Sequence, residues 1–380
     1  MINRRYFLKL LGLGYANLLL SPLYANAKTP FKNLILVELR GGNDGLNTLI
    51  PKLDPLYNKL RPDLSIGGKE ILGLNQSFGL HPAFAPLMNI WDQGQLAVLQ
   101  AVGYKNPIRS HFRSIEIVET GSDSHQHLDH GWLTRILPQM APAVLDGILI
   151  RTHEAGPLLG NPRLFSLNSS KDLKKGPALG LKESDSQNPA LLHVLKVRKD
   201  LHSASSELLD KVKPLKDETF PKHKFGQDCK TAAEILGSDV AVPVLRLSHG
   251  GYDTHSNQLK RHQNLLLELS SGLNALIKFL VDHNLWQNTA VLTYSEFGRR
   301  VAQNQSKGTD HGAASVQFLM GGCVKGGFYG KAPNLSKLNQ GDLDISLQYT
   351  DIYQAIAADF WGINQEFWTP NPELKGIFSV

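Results

Sequence analysis

The chain has 380 residues, and its 40 Lys and Arg residues outnumber its 34 Asp and Glu residues, which gives a formal net charge of +6 at pH 7. No stripe of Lys and Arg with interleaved aromatic residues accompanies this charge, so the sequence does not favour nucleic-acid binding. The two cysteines, Cys229 and Cys323, exclude a disulfide framework, although they allow a single bridge.

The first residues have the features of an export signal in the usual order. Arg4 and Arg5 precede the apolar run Leu10–Leu20, and Ala25-Asn26-Ala27 supplies the small residues that a signal peptidase accepts. The arginine pair resembles the bacterial twin-arginine motif. The alternative, a permanent membrane anchor, needs roughly 20 apolar residues, about twice the length of this run. We therefore expect residues 1–27 to be a twin-arginine signal peptide, with the twin-arginine export machinery and signal peptidase as partners, cleavage after Ala27 and a periplasmic mature protein.

Apolar runs further along the chain predict a buried sheet. Four runs end at glycine-rich or polar turns and are typical of buried strands; they are Leu34–Leu39, Val242–Leu247, Ala290–Thr293 and Val316–Met320. Between the second and third, Leu259–Leu280 has apolar residues at the three- and four-residue spacing of an amphipathic helix. Strand, helix and strand in this order predict a right-handed crossover and a parallel sheet. We expect one α/β domain over residues 28–380.

The middle of the chain departs from this pattern. Leu191–Val212 has helical spacing but many charges, and the stretch 168–185 is rich in Ser, Lys and Gly. We predict an insertion over about residues 156–227 that is part helical cap and part loop.

Polar residues follow or precede the predicted strands. In an open parallel sheet, ligands bind at the carboxyl ends of the strands, where the connecting loops meet. Carboxylates and imidazoles there are ligands for divalent ions. The predicted metal ligands are Asp44, Asp253, His255, Glu296, Asp310 and His311. As alternatives, Asp44 is also typical of a turn and Asp253 of a helix N-cap.

Ser110 and His111 stand just before the apolar stretch Ile115–Val118. One interpretation makes Ser110 a helix N-cap. The other makes it a nucleophile, because free backbone N–H groups at a helix N-terminus favour a phosphate or sulfate and nearby metal ions lower the pKa of a hydroxyl. A further cluster over His125–His130 is interpreted as a solvated loop, with a second metal site as the alternative.

Six motifs in order resemble those of the bacterial domain-of-unknown-function 1501 proteins, a branch of the alkaline phosphatase and sulfatase-like superfamily; they are Leu39–Asn47, Ser110–Phe112, Gly131–Leu133, Gly250–His255, Ser295–Arg299 and Gly308–Gly312. The resemblance implies a mostly parallel central sheet flanked by helices on both faces. It also implies that Asp44 is the ligand after the first strand, that Ser110 is the nucleophile, and that His311 is the late histidine ligand. Glu296 stands where the superfamily has part of an Asp-His pair.

The leading hypothesis is an exported hydrolase of a small-molecule or saccharide phosphate or sulfate ester. Its cofactor is expected to be one or two divalent ions, zinc, manganese or calcium, and its candidate catalytic residues are Ser110, His111 and Arg299, with Arg299 balancing substrate charge. The runner-up is a periplasmic binding or assembly protein without catalysis. A third hypothesis is a carbohydrate-active enzyme that uses Asp44 and Glu296 as paired carboxylates.

Overall fold

The computed structural model describes residues 31–170 except 142 and 144, residues 210–379 except 217 and 239, and the isolated residues 188, 191, 192, 195 and 206. The predicted signal peptide, most of the charged stretch Leu191–Val212 and the stretch 171–185 lie outside the described residues. The domain bounds 28–380 and the insertion 156–227 therefore stay predictions.

The described residues form twelve strands and eight α-helices of four or more residues. The strands are β1 (Asn33–Arg40), β2 (Leu49–Pro51), β3 (Leu72–Gly73), β4 (Phe78–Leu80), β5 (Leu96–Gly103), β6 (Gly147–Ile150), β7 (Leu164–Leu167), β8 (Val244–Gly250), β9 (Thr289–Tyr294), β10 (Ser315–Gly321), β11 (Gly327–Tyr329) and β12 (Leu347–Gln348). The helices are α1 (Gly45–Thr48), α2 (Pro55–Leu60), α3 (Met88–Asp92), α4 (His111–Thr120), α5 (Trp132–Ile136), α6 (Lys224–Leu236), α7 (Gln258–Asp282) and α8 (Tyr349–Ala355).

A nine-stranded sheet lies at the centre of the described residues. Its strand order is β11-β5-β10-β9-β1-β8-β6-β7, and β12 also pairs with β5. The central strand β1 pairs in parallel with both β8 and β9, so that Leu36 lies opposite Arg246 on one side and Leu292 on the other. The three other described strands form a small antiparallel sheet in the order β2-β4-β3. The predicted mostly parallel central sheet is confirmed.

Strand β10 runs against the direction of the rest of this sheet. It is antiparallel to both of its neighbours, β9 and β5, whereas the other described pairings of the sheet are parallel. The link from β9 to β10, residues 295–314, contains no crossover helix, so the chain returns beside β9 in the opposite direction. The start of β10 therefore lies at the edge where the parallel strands end.

Helices cover both faces of the sheet, as predicted. Because successive side chains of a strand point to opposite faces, Ile35 and Val37 join a core with α6 and α7, while Leu34 and Leu36 join a second core with α4, α5 and α8. Cys229 is buried in the first core and Cys323 in the second, and both are free thiols. The single disulfide that the sequence allows does not form.

Helix α7 confirms the helix predicted over Leu259–Leu280. It is the one helix in the described part of the chain that is long and apolar enough to cross a membrane, yet half of its most apolar window is buried inside the protein. Leu266, Leu273 and Leu280 have no exposed surface because they pack in the core. The helix begins at Gln258 with Asn257 in the N-cap position. Asp253 therefore does not cap it.

Candidate metal centre

Three histidines and one aspartate converge at the edge of the sheet. Nε2 of His255 lies 2.9 Å and Nε2 of His311 lies 3.2 Å from Oδ1 of Asp253. Nε2 of His111 lies 3.5 Å from Oδ2 of the same carboxylate. The ligand atoms of His111, Asp253 and His311 all lie within 4.8 Å of one another. The structure thus brings together three of the predicted ligands and His111, for which the sequence predicted a catalytic task.

Three chain segments supply these side chains. His111 opens helix α4, Asp253 and His255 follow β8, and His311 precedes β10. The segments approach so closely that glycine is required. A Cβ on Gly41, whose φ is +118°, lies 2.3 Å from the backbone nitrogen of Asp253, and one on Gly308 lies 2.2 Å from the carbonyl carbon of His255. Larger residues at these two glycines displace the loops that hold the cluster.

The far side of each imidazole is fixed by an oxygen acceptor. His111 Nδ1 lies 2.8 Å from Glu296 Oε1, His255 Nδ1 lies 3.2 Å from Asp310 Oδ1, and His311 Nδ1 lies 2.9 Å from the carbonyl oxygen of Arg109. An ionised carboxylate and a carbonyl only accept hydrogen bonds, so each Nδ1 donates, and a ring in its neutral form presents the lone pair of Nε2 to the cluster. This carboxylate or carbonyl behind each imidazole is the usual support of metal-ligating histidines.

The donor set fits a divalent transition ion. The Nε2 atoms of His255 and His311 are 2.9 Å apart, and two lone pairs at that distance repel unless a proton or cation lies between them. Zinc–nitrogen bonds of about 2.0–2.1 Å place tetrahedral ligands about 3.3 Å apart. Four atom pairs of the cluster are 2.9 to 3.5 Å apart, and the ligand atoms of His111, Asp253 and His311 all lie within 4.8 Å of one another.

Asp253 carries its negative charge at neutral pH. Partial burial tends to raise the pKa of Asp253, but Nη2 of Arg299, 2.7 Å from its Oδ1, and the neighbouring imidazoles lower that pKa to about 2. The hydrogen bond to Glu296 raises the pKa of His111 against the opposing effect of partial burial. A more basic imidazole is a stronger metal ligand.

Arg299 is too buried to balance substrate charge as the sequence predicted. Its side chain has no exposed surface. Its guanidinium donates to the carbonyl oxygens of Gly41, Gly42, Tyr252 and Thr309 as well as to Asp253. Because these acceptors occupy the guanidinium, Arg299 orients Asp253 and connects three loops, those that follow β1 and β8 and the link from β9 to β10, instead of meeting a ligand.

Glu296 and Asp310 lie behind the cluster and not at its centre. The carboxylate of Glu296 is buried and accepts hydrogen bonds from the backbone nitrogen of Gly41, at 2.9 Å, and from His111. Asp310 is exposed and accepts from His255 and from Asn304. The structure therefore gives both predicted ligands the task of orienting an imidazole.

Asp44 is engaged elsewhere. It is the N-cap of α1, and its carboxylate also accepts from Arg61 Nη1 at 2.6 Å and from Gln258. Burial tends to raise the pKa of Asp44, but Arg61 holds it below its usual value. The turn interpretation of Asp44 fits the structure, and the paired-carboxylate hypothesis does not, because Asp44 and Glu296 are both buried and hydrogen-bonded to protein.

Ser110 occupies the N-cap position of α4, but its side chain makes no capping hydrogen bond. The residue is exposed, and only its carbonyl oxygen, which accepts from the backbone nitrogen of Ser114, has a described bond. Ser110 therefore has the position of an N-cap residue but not the capping hydrogen bond. The nucleophile interpretation stays a prediction.

Two neighbours of the cluster were absent from the predicted site. The ring of Phe297 packs with its centroid 4.9 Å from that of His111 and 4.5 Å from that of His311, and Arg109 supplies the acceptor for His311. Both residues stand next to predicted ones, Phe297 after Glu296 and Arg109 before Ser110, which is the only signal the sequence offers for them.

The histidine-rich segment His125–His130 lies on the surface. Nδ1 of His127 is 2.7 Å from Glu116 Oε1 and also contacts Arg113. Within the described ranges, the group of His111, Asp253 and His311 is the only set of three close metal-ligand atoms. The structure favours the solvated-loop interpretation of this segment.

Solved structures with related architecture were found at low similarity. Ps i-CgsB in complex with k-i-k-neocarrahexaose is 12% identical, with a TM-score of 0.46 over 88% of this chain and 73% of that one. The PsFucS1 sulfatase from Pseudoalteromonas sp. is 10% identical, with a TM-score of 0.40 over 96% and 73%. The lipoteichoic acid synthase LtaP from Listeria monocytogenes is 10% identical, with a TM-score of 0.43 over 92% and 76%. Such low similarities assign no activity to this chain.

Sequence comparison matches part of the chain to a family model. No curated protein matches the chain. Residues 183–361 match the family described as "Protein of unknown function (DUF1501)", a range that contains three of the six motifs, Gly250–His255, Ser295–Arg299 and Gly308–Gly312. The match confirms the resemblance that those motifs predict.

Proposed function

We propose that this chain is an exported metal-dependent hydrolase of phosphate or sulfate esters that uses one divalent ion. The observation that carries the proposal is the convergence of three imidazole Nε2 atoms on Asp253, with each Nδ1 bonded to an oxygen acceptor. In their neutral form, three rings that aim lone pairs at one carboxylate repel it and one another, and a bound cation among them offsets that repulsion.

The ligands of this ion are His111, Asp253, His255 and His311. Three nitrogens and one carboxylate suit zinc, and manganese less well, whereas calcium selects oxygen ligands almost exclusively. When bound, such an ion polarises an ester oxygen and lowers the pKa of a coordinated hydroxyl or water. The side chains of Asp253 and of the three histidines, His111, His255 and His311, are between about one-fifth and one-half exposed. The site is therefore open to a ligand from solvent.

Ser110 is the proposed nucleophile. It directly precedes His111 and is exposed, and the first backbone N–H groups of α4 lack partners within the helix and lie at its positive end. These groups favour the oxygens of a phosphoryl or sulfuryl group. Ser110 Oγ bonds to phosphorus or sulfur as the bond to the leaving oxygen breaks, and the hydroxyl proton passes to that oxygen. Water then cleaves the seryl ester, which releases phosphate or sulfate and restores the Ser110 hydroxyl.

The remaining predicted residues act through the ligands. Arg299 orients Asp253, Glu296 orients His111, and Asp310 orients His255. Groups of this kind typically change metal affinity or activity by about 10- to 100-fold when removed. The burial of Arg299 and Glu296 and the hydrogen bonds of all three residues fix the cluster before a metal or substrate binds.

Metal analysis tests the proposal. We expect the purified protein to hold about one equivalent of zinc or manganese, to lose ester hydrolysis and thermal stability against a chelator, and to regain both when the metal is restored. The variant His311→Asn should bind less metal. The matched control is His283→Asn, because His283 is exposed and hydrogen-bonds only to the carbonyl oxygen of Phe279 among the described contacts. This variant should bind as much metal as the unchanged protein. A protein that binds neither zinc nor manganese, with stability unaffected by either, contradicts the proposal.

A further inference from the structure

A cavity of about 300 Å³ lies beside the C-terminal end of helix α4, whereas His111 is at the N-terminal end of the same helix. At 1.5 Å per residue, the ten residues of α4 separate His111 from the cavity by about 15 Å. Its walls come from the end of α4, from α5, from the start of α8 and from the segment that carries Trp368. None of the residues assigned to the candidate metal centre lines it.

Arg135 brings an unpaired cation to this cavity. Its guanidinium carbon lies 5.1 Å from the centre of the Trp368 ring, and its Nη2 donates to the carbonyl oxygen of Thr120. Its Nε has no hydrogen-bond partner, and in the described part of the chain no carboxylate forms an ion pair with it. Burial lowers the pKa of Arg135, as expected for a cation without a nearby counter-charge.

Ser122 adds a second unpartnered donor. Its residue is only 8% exposed, and its Oγ has no hydrogen-bond partner although it lines the same cavity. Gly121, next to it, has a φ of +61°, and a Cβ there lies 2.8 Å from the Trp368 ring. Because Gly121 has no side chain, the Trp368 ring can pack against it, next to Ser122 in the chain, and lie under the Arg135 guanidinium. Natural proteins rarely leave buried polar groups without a partner, so two in one cavity indicate a ligand or ordered water.

The acidic residues of the wall do not neutralise Arg135. Asp351 accepts hydrogen bonds from the backbone nitrogen of Gln348, at 2.8 Å, and from Asn371 Nδ2, at 2.9 Å. Asp123 is exposed, and Lys105 adds a second cation to the lining. The two unpartnered buried groups, Arg135 Nε and the Ser122 hydroxyl, can both donate a hydrogen bond.

We propose that this cavity binds a small oxyanion, a sulfate, phosphate or carboxylate group, with Arg135 as its cationic partner and Ser122 as a hydrogen-bond donor. A guanidinium presents its N–H groups in a plane that matches such oxygens, and stacking on Trp368 fixes that plane. The occupant is either the free ion or the anionic group of a larger molecule. The site does not depend on the proposed hydrolase activity.

Thermal unfolding of the full chain tests the site. Sodium sulfate, sodium phosphate and sodium acetate are compared with sodium chloride at equal ionic strength, because a ligand of the native state raises Tm in a saturable way. We expect at least one oxyanion to raise Tm above the chloride value, and Arg135→Gln to remove that increase. Ser122→Ala should weaken it. Arg163→Gln removes the same charge from the surface pair with Asp146 and should keep the increase.

The metal centre could also bind these anions, so His311→Asn is measured in parallel. An increase that survives His311→Asn and disappears in Arg135→Gln belongs to the cavity, whether or not the hydrolase proposal holds. An equal increase in Arg135→Gln and the unchanged protein, or none above chloride for any of the three anions, overturns the site.

If Arg135→Gln does not fold, a second measurement on the unchanged protein still tests the site. The indole N–H resonance of Trp368, assigned by its loss in Trp368→Phe, should shift saturably as sulfate is added to the unchanged protein, and an unmoved resonance with every oxyanion contradicts the site. Glucose 6-sulfate then identifies the source of the ligand. Tighter binding than inorganic sulfate indicates a sulfated sugar, and equal or weaker binding indicates the free ion.

Discussion

Two clusters of charged side chains lie on neighbouring strands of this protein, and they are built in opposite ways. On the sheet, Arg246 of β8 has Nη2 3.0 Å from Glu38 of β1 and 2.9 Å from Glu119 of α4, and the three are almost completely buried. At the carboxyl edge, three imidazoles aim lone pairs at one half-exposed carboxylate. The first cluster satisfies its own charges. The second does so only with a proton or a cation among its imidazoles.

The comparison teaches which observation separates a structural cluster from a binding site. Both contain ionisable groups within hydrogen-bond distance, and both include residues on β8 or just after it. What differs is the direction of the donors and acceptors. In the buried cluster, each group of the Arg246 guanidinium faces an acceptor, including Tyr294 and the carbonyl oxygen of Glu154. In the metal centre, acceptors face acceptors.

The largest expected effect is on catalysis. Ser110→Ala should reduce ester hydrolysis by about a thousand-fold or more, because it removes the nucleophile, while metal content and Tm remain unchanged. The measurement is kcat/KM on a phosphate and a sulfate ester, with Ser77→Ala, an exposed serine far along the chain, as the matched control. Undiminished hydrolysis by Ser110→Ala would remove the serine from the reaction, and absence of hydrolysis in the metal-loaded unchanged protein favours the binding-protein alternative.

The next effect belongs to the buried cluster. Arg246→Met leaves two buried carboxylates without a counter-charge and should lower the free energy of unfolding by about 3–5 kcal/mol, without changing metal stoichiometry in the folded fraction. Arg40→Met breaks only an exposed pair with Glu154 and should cost less than about 1 kcal/mol. Urea unfolding of both variants measures this, and equal losses contradict the distinction between the clusters.

A smaller effect is expected behind the metal centre. Glu296→Gln keeps the shape of the side chain but weakens the acceptor of His111 Nδ1, so metal affinity should fall about 10- to 100-fold. Glu268→Gln changes the partner of His249 outside the centre and should leave affinity unchanged. Competition with a chelator of known affinity measures both, and an unaltered affinity in Glu296→Gln means that the glutamate does not support a ligand.

The smallest effect is a pH dependence within the buried cluster. Burial and the negative charge of Glu38 raise the pKa of Glu119 to about 7 despite the nearby Arg246. The folded state therefore binds the Glu119 proton more tightly than the unfolded state does. The stability that this proton contributes is present below about pH 4.5 and is lost as the pH rises through about 7. Between these two pH values the raised pKa should change the free energy of unfolding by about 1–3 kcal/mol. Glu119→Gln should remove that change. A parallel pH profile for variant and unchanged protein contradicts the raised pKa.

The sequence predicted part of the regular fold, but it missed the eight-residue buried strand β5. β1, β8, β9 and α7 have long apolar patterns, and each appears within a few residues of its predicted bounds. The strands β6, β11 and β12 have four residues or fewer, too short for a periodic signal, and were not predicted. The reversal of β10 was also out of reach, although it is what brings His311, which precedes that strand, to the carboxyl edge.

The site was predictable only in its residue types. Asp253, His255 and His311 were found because they stand at strand ends. The separation of ligands from their supports depends on long-range partners that no local pattern contains. Asp44 is held by Gln258, 214 positions away, and His111 by Glu296, 185 positions away. Arg299 looked available for substrate because its acceptors are backbone carbonyls, which the sequence does not display.

Anomalous X-ray scattering at the zinc edge, from crystals of the zinc-loaded protein, tests the central claim most directly. The account predicts one strong peak about 2 Å from Nε2 of His111, His255 and His311 and from a carboxylate oxygen of Asp253. A zinc-loaded crystal with no peak among these four residues, or with a peak bound by Asp44 or Glu296 in their place, would contradict it.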